Sequence, residues 1–255
     1  MWALFHLQVP FIHVVACESD PLAITFWKNN FNALHFCNDM TKRDHADVVR
    51  RCGAPDLYMC GFPCPTFSVQ GAGQGVEDPR GQIIFHVIAF LQVALPSVFI
   101  LENVEGLVTR FPSTLTWIIK KLKGINNNCY HIDARVMNTA QHGVPHHRKR
   151  LFIIGVIKAK QTGRMSWPEP IGHRPLSEFL EPLVEAVSLK DSPPETQKVA
   201  RSNWVATFEA LASTFGKNPL LMDVVADMDG TKPHFMMDMT PCITRSRVGS
   251  GGIGS

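Results

Sequence analysis

No apolar run in this 255-residue chain approaches the length and purity of a membrane span, which argues against a protein threaded through a bilayer. No internal repeat and no low-complexity tract is found, so neither a solenoid nor a disordered linker is expected. The seven cysteines (Cys17, Cys37, Cys52, Cys60, Cys64, Cys129 and Cys242) are odd in number and irregular in spacing, and no signal-peptide pattern precedes them. A disulfide-framed secreted domain is therefore not expected; a reducing intracellular compartment is. Nor do they make a zinc site. Cys60 and Cys64 form C-x3-C, but no second cysteine or histidine pair follows at ligand spacing. Charge is scarce too, at 18% of residues with a net +3. Mild basicity permits a phosphate-bearing partner without arguing for one. What the chain does have is 45% hydrophobic residues, enough to bury a sizeable core.

Along the first 157 residues, strand-like and helix-like segments alternate. Phe11 to Cys17, His35 to Cys37, Leu57 to Cys60, Ser97 to Leu101, Tyr130 to Met137 and Leu151 to Ile157 read as strands. Pro21 to Phe31, Lys42 to Arg51, Gln82 to Leu95 and Phe111 to Lys123 read as helices, and the Gly-rich stretch Ser68 to Gly81 as a loop. Strand then helix, repeated, predicts an α/β fold with a mostly parallel sheet covered on both faces. After Lys158 prolines punctuate the chain, with helix-like pieces at Leu176 to Val187 and Ala200 to Phe215. Two domains are expected: residues 1–157, and a smaller irregular lobe, 158–255.

The stretch DLYMCGFPCPTFS carries the most pointed signal. Prolines flank Cys64 on both sides, after a short strand broken by Gly61 and Pro63. They restrict the backbone around the sulfur, so the thiol is placed at a strand's carboxyl end, where α/β folds do chemistry. Most free cysteines are small buried hydrophobes, so this context alone does not make a nucleophile. Three features join it. Glu102, in LENV, closes the apolar strand SVFI and is a candidate acid or base. Arg148 and Arg150, in QHGVPHHRKR, enter the next strand one residue apart and so share a face suited to anions or carbonyl oxygens. Glu18 and Asp39 end successive strands, where acids hold ribose hydroxyls in nucleotide-type folds. Each alone has an ordinary alternative: a cap, a solvated loop, a strand-ending acid.

GFPCPTFS, LENV and QHGVPHHRKR, in this order, resemble the signature motifs of the DNA cytosine-5 methyltransferases. DPRG (Asp78 to Gly81) resembles another family block, and ACESDP and CNDM resemble the adenosine-binding blocks. The resemblance covers about Met1 to Ile157, with a weaker echo at TPCITRSR (Thr240 to Arg247). It implies an S-adenosylmethionine-dependent, Rossmann-like methyltransferase fold and a partial catalytic domain followed by a partial target-recognition lobe. It also implies Cys64 as the nucleophile for C6 of cytosine, Glu102 on the N3 and N4 edge of the base, Arg150 on the base and Arg148 supporting the site. S-adenosylmethionine is the implied methyl donor, with Glu18 on its ribose, Asp39 on its adenine amine and Phe62 and Pro63 lining the pocket. DNA is the implied partner, with the target cytosine flipped from the stack, and neither metal nor membrane is involved. The compartment is intracellular: the nucleus in a eukaryote, the cytoplasm or nucleoid in a bacterium.

Some features depart from the family pattern. Pro65 follows the nucleophile where glutamine or asparagine is common, and His146 stands where glutamine is usual. By the same resemblance the chain begins after the family's first strand and its Phe-x-Gly-x-Gly turn, and stops before a helix that returns to the large domain. The sheet is thus expected to lack its first strand, and the chain to bind S-adenosylmethionine weakly and methylate weakly or not at all. Two alternative readings follow: a tRNA cytosine-5 methyltransferase, against which Phe62-Pro63-Cys64 argues because that group favours Pro-Pro-Cys, and a catalytically impaired nucleic-acid-binding remnant.

Overall fold

In the computed structural model, which describes residues 2–63, 79–179, 198, 201–202, 205–206, 209–210, 213, 224–229, 232–237 and 239–240, strands and helices alternate from Val15 to Ile157. Two compact units emerge: Met1–Met137 with Arg150–Ser166, and Asn138–Lys149 with Trp167–Ser255. Packing, not chain order, divides them, so the segment from His142 to Arg148 groups with the second unit.

The first unit holds two hydrogen-bonded sheets. β1 (Val15–Cys17) and β2 (His35–Cys37) pair in parallel. β3 (Leu57–Gly61), β4 (Val98–Val104), β7 (Lys149–Ile157) and β5 (Tyr130–Asn138) form a four-stranded sheet in the order β3-β4-β7-β5. β3 runs parallel to β4, and β4 antiparallel to β7. The α/β fold read from the sequence is present, with its parallel pairings in two pieces. β1 is shorter than the apolar run Phe11 to Cys17. Its pairing partner begins only near Leu34, which donates to His13 O at 2.9 Å, so Phe11 and Ile12 have no ladder to join and stay exposed.

Helices form where caps and apolar faces coincide. Asp20 caps α2 (Pro21–Asn30), its Oδ1 accepting from the N–H groups of Leu22 and Ala23, with Pro21 in the first turn. Asp44 caps α3 (His45–Cys52) in the same way through Asp47 N–H. The largely apolar α4 (Pro79–Ala94) buries Ile84, Val87, Phe90 and Leu91. A short α5 (Gly106–Thr109) precedes α6 (Pro112–Lys123), whose buried Thr114, Ile118 and Leu122 recur every four residues and make one inward stripe.

Strand alternation sorts the two faces of the large sheet. Tyr58, Phe99, Leu101, Leu151 and Ile153 join α4 and α6 in one core cluster. The opposite face carries Met59, Ile100, Glu102 and Phe152 and is only partly covered, with Met59 56% exposed. Among the described residues this face is less fully covered than the sequence pattern predicts. Gly155 lies opposite Phe99 on β7, and any Cβ there would meet the Phe99 ring at 2.1 Å. Phe99 in turn meets Tyr130 edge-on at 5.0 Å, and the Tyr130 hydroxyl donates to Pro96 O at 2.7 Å.

In the second unit β6 (His142–Gly143) makes a two-residue parallel pairing with β8 (Gly172–His173). β9 (Val224–Asp229) and β10 (Lys232–Met237) form an antiparallel pair that the sequence reading left among loops. A 3-10 turn, Leu176–Phe179, occupies the start of the helix-like Leu176 to Val187; the rest of that piece lies outside the described residues. Within Ala200 to Phe215, the residues that are described are helical. Thr240 N–H donates to Pro145 O at 2.7 Å, which joins the start of TPCITRSR to the QHGVPHHRKR segment.

Candidate active site

Cys64 lies outside the described residues, as does Ser68 to Asp78 of the Gly-rich loop. The structure shows what leads to it. β3 ends at Gly61, directly opposite Glu102 on β4. Phe62 then turns its ring into the core, 3% exposed, while Pro63 is exposed. Asn103, a fully buried polar residue, fixes this turn. Its Nδ2 donates to Phe62 O at 3.0 Å, and its Oδ1 accepts from Val104 N–H at 2.8 Å. Both ends of the buried amide are therefore satisfied, as burial demands. LENV contains Asn103, but the sequence reading gave it no role.

Glu102 and Arg150 come together. Glu102 pairs with Phe152 in the β4–β7 ladder, so Arg150 sits diagonally from it on the same face. Arg150 Nε lies 2.8 Å from Glu102 Oε1, with both side chains about a quarter to a third exposed (23% and 34%). Glu102 Oε2 reaches towards Gly61, where a Cβ would come within 3.2 Å of it. A glycine at this spot leaves the carboxylate room beside the strand end that precedes Cys64. Gly61 was read only as a strand breaker.

Arg148 belongs to the second unit, and its surroundings are described within it. Its backbone N–H donates to Asn138 Oδ1 at 3.1 Å and to Thr139 Oγ1 at 3.0 Å, while Thr139 Oγ1 donates to His146 O at 2.7 Å. These bonds hold the His146–Arg148 segment as a tight loop. His147 Nδ1 and Asn138 Nδ2 are 2.9 Å apart. Burial, with Arg148 and His147 nearby, lowers the His146 pKa.

Glu18 and Asp39 follow the carboxyl ends of the paired β1 and β2. Glu18 N–H donates to Cys37 O at 3.1 Å, extending the ladder by one bond. Glu18 Oε1 accepts from Ser19 and Asp20 N–H at 2.8 and 3.0 Å. Asp39 Oδ1 accepts from Thr41 N–H and Oγ1 at 2.9 and 2.7 Å, and Oδ2 lies 3.4 Å from Lys42 Nζ. The Thr41 bonds hold the Asp39 carboxyl below its usual range. Both acids thus shape the chain locally, each with one oxygen committed to backbone donors. Glu18 Oε2 has no hydrogen-bond partner among the described residues. A carboxylate at the end of each of two neighbouring strands is a set of acceptors that fits ribose hydroxyls and an exocyclic amine, so these residues fit the adenosine half of S-adenosylmethionine.

An open cavity of about 530 Å³ lined by Phe5, His6, Gln8, Val9, Pro10 and Phe11 contains none of these residues, so chemistry and concavity do not coincide there. Among the described residues no three His, Cys, Asp or Glu side chains gather as a metal site would require, and no helix is long and apolar enough to cross a membrane.

A family model described as C-5 cytosine-specific DNA methylase matches residues 3–219. Type II methyltransferase M.NgoBV of Neisseria gonorrhoeae is 35% identical over 155 residues, covering 58% of this chain and 35% of that protein. Type II methyltransferase M.HaeII of Haemophilus aegyptius is 34% identical over 173 residues, covering 66% of this chain and 50% of that protein. The chain spans about a third to a half of the length of these relatives. Among solved structures, the Dnmt2 methyltransferase of S. pombe aligns with a TM-score of 0.56 at 18% identity, over 84% of this chain and 62% of that one, a likeness of fold.

Proposed function

The chain belongs to the C-5 cytosine-specific DNA methylase family, and from that premise we propose that it serves transfer of a methyl group from S-adenosylmethionine to C5 of cytosine in DNA. The observation that carries this reading is the Glu102–Arg150 pair, held at 2.8 Å across β4 and β7 beside the strand end that leads to Cys64. C5 of cytosine is a weak nucleophile. The Cys64 thiolate adds to C6 and makes the ring an enamine. Glu102 holds the N3–N4 edge of the base and delivers a proton to N3 as C6 is attacked. Arg150 fixes the Glu102 carboxylate and contacts the base, and Arg148 supports the loop that closes the site. When bound, S-adenosylmethionine supplies an electrophilic methyl group for C5. A base, water at the site, then takes the C5 proton, and the Cys64–C6 bond breaks with its electron pair leaving on sulfur. Glu18 holds the ribose hydroxyls and Asp39 the adenine amine, while Phe62 and Pro63 border the pocket at the end of β3.

In this reading residues 1–157 carry the chemistry and residues 158–255 the recognition of the target. The cytosine is flipped out of the duplex to reach Cys64, the reaction uses neither metal nor membrane, and the protein works inside the cell where the DNA is. Incubation with S-adenosylmethionine and a duplex containing 5-fluorocytosine tests the proposal. Fluorine at C5 blocks the last proton loss, so a covalent protein–DNA adduct accumulates. The adduct is expected to build slowly with the native chain, in keeping with weak cofactor binding, and to be absent with Cys64→Ala; an adduct that survives that substitution sinks the assignment.

A further inference from the structure

One polar cluster lies outside the groups given a role above, at the parallel pair β1–β2. Cys17 and Cys37 are direct register partners. Paired residues on neighbouring strands sit about 4.8 Å apart at Cα, inside the roughly 4.4–6.8 Å that a disulfide spans. Both thiols are free and half-buried.

Arg43 completes the cluster. Its Nη1 lies 3.9 Å from Cys37 Sγ, its Nε donates to His45 Nδ1 at 3.3 Å, and the guanidinium covers the Phe90 ring at 4.4 Å. Its Nη2 is buried and has no hydrogen-bond partner among the described residues. Arg43 forms no ion pair with a carboxylate among them. A part-buried cation so placed favours an anion nearby, and the Cys37 sulfur is the group in hydrogen-bond contact that can become one. The bond from Cys17 and the Arg43 charge bring the Cys37 thiol down to about 6, whereas the same bond and burial push Cys17 far up. That asymmetry is what a thiolate with a thiol donor beside it requires.

We propose that Cys17 and Cys37 are a reversible redox pair, in which a hydroperoxide oxidises Cys37 and Cys17 closes a disulfide that ties β1 to β2. In the first step the Cys37 thiolate attacks the terminal hydroperoxide oxygen. An S–O bond forms, the O–O bond breaks, and the departing oxygen takes a proton from water to leave as an alcohol, or as water from hydrogen peroxide. Cys37 is then a sulfenic acid. In the second step Cys17 sulfur attacks Cys37 sulfur. The S–S bond forms, the S–O bond breaks, and hydroxide leaves with the Cys17 proton as water. Two thiols lose two electrons and one peroxide gains them, and an added dithiol reverses the change. The link would close one residue before Glu18 and two before Asp39.

Peroxide treatment of the purified chain tests this, followed by alkylation and a non-reducing tryptic digest. Cleavage after Lys28 and Lys42 puts Cys17 in residues 1–28 and Cys37 in residues 29–42. The expected product is those two peptides joined within one chain, separated by a dithiol. On the untreated protein at pH 7, Cys37 is expected to alkylate about fivefold faster than Cys52 or Cys129, because its larger thiolate fraction outweighs its lower intrinsic nucleophilicity. Cys17→Ser is expected to stop oxidation at a sulfenic acid that dimedone traps on Cys37. Alkylation of Cys37 no faster than that of Cys52 and Cys129 overturns the proposal. So does a digest in which the joined peptides carry Cys60 or come from two chains.

Discussion

Asn103 is buried for a reason that belongs to its neighbours. Its amide nitrogen holds Phe62 O and its amide oxygen holds Val104 N–H, so one side chain ties the end of β3 to the end of β4 two residues before Cys64. Asn103→Asp keeps the size and the acceptor but removes the donor, which leaves Phe62 O unpaired beside a carboxylate. Losing a bond of this kind costs about 1–3 kcal/mol. We expect lower thermal stability by that amount and a drop in the rate of 5-fluorocytosine trapping larger than the loss of folded protein explains. An unchanged trapping rate in the folded fraction counts against a positioning role. The Glu102–Arg150 pair should behave oppositely. Both side chains are part-exposed, so their mutual attraction adds little to stability, about 0–1 kcal/mol. Glu102→Gln is expected to melt within that margin of the native chain while losing about 100-fold or more in trapping rate, the usual scale for removing a positioned acid. A melting shift well beyond the margin makes the pair structural instead.

At the scale of elements, β4 and β7 carry the fold and the site on opposite faces of the same strands. Phe99, Leu101 and Asn103 alternate with Ile100 and Glu102, so a strand read from its apolar run as far as Leu101 continues to Val104 through a glutamate and an asparagine. Hydrophobic pattern finds the inward half of a strand. It does not see a polar extension whose pairing is supplied by β7 throughout and by β3 as far as Glu102. The same limit explains β1, whose length is set by a partner rather than by its own run of apolar residues. It also explains Asp39, where the strand-ending acid was legible but its bonds to Thr41 were not. The antiparallel pair β9–β10 had a signal, Gly230 between strand-forming runs, that went unused. Gly155 gives the sharpest test of β7 packing. A methyl group there would overlap the Phe99 ring, which is itself held against Tyr130. Gly155→Ala is expected to destabilise by about 1–3 kcal/mol, the range for overfilling a packed core. Gly155→Ala with Phe99→Leu should recover part of the loss, because the smaller side chain vacates the ring position. Chemical denaturation of the two variants settles the order, and a Gly155→Ala protein as stable as native would mean the Phe99 ring is not fixed there.

For the whole molecule, acid sensitivity gathers the histidines. His45 lies at the start of α3, edge-on to His86 and Phe90 and bonded to Arg43. Burial, then the Arg43 and His86 charges, bring its pKa down to about 4 against an ordinary 6.5, with Asp44 opposing. His13, which bonds to Val15 O, and His146 in the second unit are lowered as well, each chiefly by burial. The folded chain therefore resists protons that the unfolded chain accepts. Stability supplied by these neutral rings is complete above the unfolded value near 6.5 and is withdrawn as pH falls below it, for His45 towards about 4. Asp39 and Asp44 act lower down. Their carboxyls are held below 3.8 by bonds to Thr41 and Asp47, so their contribution disappears only as pH drops past that point. The window between about 6.5 and 4 thus belongs to the histidines. Melting temperature measured across that window is expected to fall steadily for the native chain. His45→Gln keeps a polar ring substitute that cannot take the proton, and its curve is expected to be flatter over the same window and to rejoin the native slope below pH 4. Parallel curves for the two proteins from pH 6.5 to 4 would remove His45 from the account and leave the acid sensitivity to other groups.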